Sequence, residues 1–139
     1  MKQMFSFSRA GLALILLLLF SLPQAVFSQA PDVLDVEAVL CLDVVDRTPI
    51  DANTSFPNTV GKVYCFSKII GAKTATRVSH VWYYGNTERF RISLPVNSAA
   101  WRTFSLKNIQ PHETGAWRVE ILDEMENKLE VINFQILSP

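Results

Sequence analysis

The 139-residue sequence is short of most things that chemistry needs. It holds two histidines, two cysteines and five glycines. It has no G-x-x-x-x-G-K-[ST] loop, no G-x-G-x-x-G turn, no H-E-x-x-H pair and no EF-hand loop, which removes the usual nucleotide, metalloprotease and calcium chemistries. No C-x-x-C or H-x-x-x-H spacing supports a metal site, and no cofactor is implied. The charges balance at 13 basic and 13 acidic residues. A nucleic-acid-binding domain would be basic, and a membrane-surface domain would carry a polybasic run. Neither class fits. There is also no heptad run and no sustained helical period of apolar residues.

The N-terminus is the exception to this even composition. Lys2 and Arg9 precede "AGLALILLLLFSLP", an uncharged apolar run closed by Pro23. A basic segment, a short apolar segment and the small residues of "AVFSQAP" are the layout of a secretory signal peptide. The run is shorter than the roughly 20 residues needed to span a bilayer. Cleavage after Ala30 would leave Pro31 beside the cut, so cleavage after Ser28 is preferred. This makes residues 1–28 a signal peptide and 29–139 one domain, with no membrane span in the mature chain and a slight excess of acidic residues. The alternative is a retained N-terminal anchor. The expected location is the periplasm or the cell exterior.

In an exported chain the even cysteine count reads first as a disulfide, Cys41 to Cys65. It would close a loop of about 25 residues, for on the order of 3 kcal/mol. Two buried free thiols and half of a metal site are the alternatives.

Beyond the leader, apolar residues alternate with a period of two. Strands are expected at 35–45, 60–70, 75–84, 88–96, 100–109, 115–123 and 128–137, with a loop at 46–59. Val36, Ala38, Leu40, Leu42 and Val44 share one face of the first strand. Gly85-Asn86 suits a hairpin with positive φ at both positions, and Asn127 suits the left-handed position of the last turn. Pro95 marks the fourth strand as a sheet edge. About seven short strands predict an all-β fold, a single small β-sandwich of immunoglobulin-like outline. A partly open barrel is the alternative. Trp82, Phe90, Ile92, Leu94, Trp117, Val119, Ile121, Ile132, Phe134 and Ile136 are the expected core.

The stretch "SHVWYYGNTERFRISLPV" concentrates the candidate functional residues. His80 could serve a hydrolase if a nucleophile and an orienting carboxylate stood beside it; no G-x-S-x-G elbow supplies one, so a hydrogen-bonded structural histidine is favoured. Tyr83 and Trp101 could form a flat platform for a sugar ring. Arg89, Arg91, Arg102 and Arg118 could grip anionic groups, or pair across strands with Glu88, Glu120 and Glu130. The candidate binding surface is therefore His80, Tyr83, Arg89, Arg91, Trp101, Arg102 and Arg118. The function this predicts is non-catalytic binding to another envelope protein or to a second copy. A carbohydrate-binding module is the alternative, and a hydrolase using His80 a more distant one.

Several segments together resemble a bacterial family of exported domains of unknown function, family 2914 of the domain-of-unknown-function series. They are "LCLDVVDRTPI", "VYCFSKI", "HVWYYG", "WRTFS", "GAWRVEILD" and the final "FQIL", covering nearly all of the chain past the leader. In the last hairpin, "DEMENKL", Asn127 stands where glycine would turn more easily. The resemblance implies an all-β extracytoplasmic domain and brings no catalytic residue with it.

Overall fold

A computed structural model describes residues 23–25 and 33–139. The chain divides into two units, Met1–Ala30 and Pro31–Pro139, and the fold below is that of the second. The expected signal peptide and its cleavage site fall almost wholly outside the described residues.

Every regular element among the described residues is a strand. They are β1 (Asp35–Cys41), β2 (Asp43–Val45), β3 (Thr48–Ile50), β4 (Ser55–Pro57), β5 (Lys62–Ile70), β6 (Thr76–Tyr84), β7 (Thr87–Val96), β8 (Ala100–Asn108), β9 (Gly115–Leu122) and β10 (Lys128–Leu137). A three-stranded sheet runs β1-β5-β8, a five-stranded sheet runs β4-β10-β9-β6-β7, and β2-β3 form a small hairpin. The two larger sheets make a sandwich. Their inward residues form one buried cluster, with Leu40, Val63, Cys65 and Ile69 from the smaller sheet and Val78, Trp82, Trp117, Val119, Ile121, Phe134 and Ile136 from the larger. Rings at its centre stack or meet edge to face: Trp117 on Phe134 at 5.9 Å, Trp82 on Phe134 at 6.0 Å and Phe56 on Phe134 at 6.1 Å. Such pairs add about 0.5–1.5 kcal/mol each beyond the area they bury.

Most expected strands stand within a residue or two of their positions, and β7 is the edge that Pro95 marks. The exceptions have physical causes. The first strand stops at Cys41: Leu42 lies in a bend, is exposed, and gives its N–H to Ile50 O, so the chain leaves the sheet and doubles back as β2-β3. The expected loop 46–59 thus contains β3 and also β4, which pairs in parallel with β10. Phe90 is 36 % exposed, because its strand is the sheet edge. In the Gly85-Asn86 turn only Gly85 has positive φ (57°), the pattern of a type II′ turn. In the last hairpin Glu126, at φ 65°, takes the left-handed position expected of Asn127. Asp123 fastens that turn by accepting the N–H groups of Met125 and Asn127 on Oδ1.

The expected disulfide is absent: Cys41 and Cys65 are both free and buried. β1 and β5 pair Leu40 with Cys65 and Cys41 with Tyr64. Directly opposed residues share a face and successive residues alternate, so the two cysteines lie on opposite faces of the sheet. Cys65 joins the core between the sheets, whereas Cys41 packs with Tyr64 and Phe66 on the outer side.

Candidate functional site

Register writes the outer face of the three-stranded sheet as three rows. Glu37, Lys68 and Arg102 lie side by side across β1, β5 and β8; Val39, Phe66 and Phe104 form the next row; Cys41, Tyr64 and Leu106 form the third. Phe104 is 45 % exposed, and Leu106 and Val39 are open to solvent as well. The β2-β3 hairpin projects over this face. Its two-residue loop, Asp46 (φ 50°) and Arg47 (φ 58°), puts two side-chain-bearing residues in the left-handed region, where Asn-Gly is the usual occupant. That conformation costs roughly 1–2 kcal/mol per residue.

Two adjoining cavities lie beneath the hairpin and share Arg47, Phe66 and Arg102. One, of about 580 Å³, adds Val36, Glu37, Ala38, Val39, Lys68 and Glu130 to its lining. The other, of about 340 Å³, adds Val44, Pro95, Trp101 and Phe104. Arg47, Lys68 and Arg102 make no ion pair, hydrogen bond or ring contact within the described residues, and all three line the larger cavity. Lys68 and Arg102 stand directly opposite each other, an arrangement of like charges that destabilises a sheet.

The other arginines are occupied. Arg118 lies 3.9 Å above the Tyr83 ring and gives Nε–H to Glu120 Oε2. Glu120 is 4 % exposed; its other oxygen lies 3.0 Å from Lys128 Nζ. Burial acts to raise the Glu120 carboxyl, but the hydrogen bonds and charges of Lys128 and Arg118 prevail and hold it below its ordinary value. Arg91 bridges Glu88 and Glu126. Glu88 and Glu120 do pair with Arg91 and Arg118, but along one strand each, β7 and β9, and not across strands as expected, while Glu130 lies at the larger cavity. Arg89 reaches buried Glu113 at 2.8 Å, off-line for a hydrogen bond, and sits over the Tyr84 ring. Glu113 holds its own turn through Gln110 N–H, and its backbone carbonyl accepts from Trp117 Nε1. A polar cavity of about 640 Å³ beside Arg77, Arg91 and Glu126 is likewise lined by paired cations.

His80 is fully buried on the inner face of β6. Its Nε2 lies 3.0 Å from Ser67 Oγ and its Nδ1 lies 2.7 Å from Ser105 Oγ, both serines belonging to the opposite sheet. Trp82 Nε1–H donates to the same Ser105 Oγ at 3.0 Å. Ser105 Oγ, with one proton and two lone pairs, accepts from Trp82 and still meets either tautomer of the ring, donating to Nδ1 or accepting from Nδ1–H, with Ser67 taking the complementary role at Nε2. Burial lowers the imidazole pKa to about 4, so the ring is neutral near pH 7. A Ser-His hydrolase needs a serine within this distance, and two are present. Yet both ring nitrogens are taken by serines, which leaves no place for an orienting carboxylate, and Ser67, Ser105 and Trp82 are buried with the ring. What the arrangement does chemically is satisfy a buried polar group.

The seven residues singled out in the sequence do not form one surface. His80 is in the core. Tyr83, Arg91 and Arg118 lie on the outer face of the five-stranded sheet, where Arg118 covers the Tyr83 ring and Arg91 bridges Glu88 and Glu126, and Arg89 is paired at its edge. Trp101 and Arg102 line the groove beneath the hairpin. Tyr83 and Trp101 stand on different sheets and are both half-buried, so the two-ring sugar platform is not assembled. Sequence reasoning missed Arg47 and Lys68. Lys68 carried a usable signal, since alternation sets it opposite in facing to Ser67 and Ile69.

Residues 75–136 match the model of a family described as "Protein of unknown function (DUF2914)". The match begins at β6 and runs nearly to the end of β10, so it is shorter than the resemblance read from the sequence: "VYCFSKI" and "LCLDVVDRTPI" fall outside it. No curated protein matches the chain. The matched part contains His80, the Glu113 turn and the groove residues Trp101 and Arg102, and over it the chain is similar to that family of unknown function.

Proposed function

We propose that this domain works by binding, without chemistry, and that the groove between the β2-β3 hairpin and the β1-β5-β8 sheet is the binding site. One observation carries the reading: the described cations without an internal partner, Arg47, Lys68 and Arg102, all line one cavity. A surface kept only for solubility would have paired or dispersed them. Here two oppose each other and a third sits on a strained turn in the groove that the exposed Phe104 ring also lines, a combination suited to an anionic ligand with apolar parts. The leader-like residues 1–28 support an exported, periplasmic or secreted, setting. The partner there is an envelope component.

The test is calorimetric titration of the full chain with an acidic peptide, a uronate oligosaccharide and inorganic phosphate. It is repeated on a variant with Arg47, Lys68 and Arg102 each replaced by Ala. Binding of one of these anions, lost in the triple variant, is expected. Turnover of any of them, or binding that the triple variant retains in full, overturns the reading.

A further inference from the structure

The larger cavity touches four consecutive residues of β1, Val36, Glu37, Ala38 and Val39. Successive strand residues face opposite sides, so a cavity that meets all four lies along the strand's edge, where backbone groups project. β1 is the end strand of its sheet. Leu40 O accepts from Asn53 N–H, so the backbone groups of Leu40 point away from β5. By the two-residue period those of Val36 and Ala38 do the same. No hydrogen bond from another described residue closes the N–H or C=O groups of these two. The open edge therefore lies beside the charged row Glu37, Lys68 and Arg102, with Arg47 above it. Cations outnumber the carboxylates there, three against Glu37 and Glu130.

We infer that the groove takes an extended peptide segment in which acidic and apolar residues alternate, added as a further strand on the free edge of β1. This rests on the binding reading above and names the partner's chemistry. Backbone pairing with Val36 and Ala38 supplies direction and reach, as in other strand-addition complexes. The alternate acidic side chains fall on the outer face, on the side of Lys68 and Arg102, and the intervening apolar ones turn inward. A saccharide or a free anion would use the cations and leave the strand edge unpaired.

The probe is a fluorescein-labelled octapeptide of alternating glutamate and valine, titrated into the full chain and followed by anisotropy. The expected result is saturable binding, weakened at least tenfold by the double substitution Lys68→Ala and Arg102→Ala. Amide exchange at Val36 and Ala38 should slow in the complex. A lysine–valine counterpart and a fully N-methylated glutamate–valine peptide should not bind. Equal binding of either control, or unchanged exchange at Val36 and Ala38, overturns the strand-addition inference. If the peptide fails while the uronate oligosaccharide binds in a manner that needs Arg102, this inference is wrong and the groove stands as a binding site. Failure of every anion removes both.

Discussion

Lys68 and Arg102 face each other directly across β5 and β8, and neither has an ion-pair partner among the described residues. Like charges at directly opposed positions cost a few tenths to about 1 kcal/mol. Arg102→Thr should therefore raise the urea midpoint, and added salt should stabilise the parent chain more than the variant. The same variant should bind anions less well. An unchanged or lowered midpoint would show that the opposition carries no cost.

Ser105 serves two buried nitrogens and Ser67 serves one. Removing a partner leaves each buried group to bear its desolvation, about 1–3 kcal/mol. Ser105→Ala should thus destabilise more than Ser67→Ala, by about 1–3 kcal/mol in equilibrium urea unfolding. Equal losses would mean that Trp82 Nε1 finds another acceptor.

The neutral His80 ring makes stability depend on pH. Its pKa falls from the ordinary 6.5 in the unfolded chain to about 4 when buried. Between those values the unfolded state holds the extra proton, so acid favours unfolding. The contribution is complete above pH 6.5 and is lost as pH falls toward 4, for on the order of 3 kcal/mol in all. The decline should begin between pH 6.5 and 5, before Glu120 adds its own loss below its ordinary value. His80→Gln should be less stable at neutral pH but flat across that upper interval. A slope there that survives His80→Gln would assign the effect elsewhere.

How much of this was legible in the sequence follows from what is local. Strand positions and the common side of His80 and Trp82 are read from alternation along one strand, and the edge from Pro95, but that this side buries His80, a candidate for the binding surface, comes only from the packing of the two sheets. Pairing between strands is not. Cys41 and Cys65 looked like a bridge because spacing along the chain says nothing about parity; the register that opposes Leu40 to Cys65 puts them on different faces. The groove was hidden for the same reason. Lys68 and Arg102 are 34 positions apart in the numbering and meet only through the β5–β8 register, while Arg47 arrives on a hairpin that alternation across 35–45 did not separate from β1.

Free thiols give the next expectation. Burial pushes both above the ordinary thiol value, Cys65 most strongly. A thiol reagent should modify neither in the native chain and both in urea, and a reductant should leave the melting temperature unchanged. Fewer than two reactive thiols in urea, or a melting temperature lowered by reductant, would restore the bridge.

The contact from His80 to Ser67 and Ser105 joins two layers that otherwise meet mainly through oily side chains. Hydrocarbon contacts tolerate sliding, because neighbouring offsets of one layer over the other bury similar area. A chain of directional bonds fits at a single offset and acts as a detent. Replacing His80, Ser67, Ser105 and the Trp82 indole together with apolar groups of similar volume, so that no buried N–H is orphaned, should therefore leave a domain that melts no lower, yet broadens the methyl resonances of residues around Ile69 and Val78 as the layers sample several alignments.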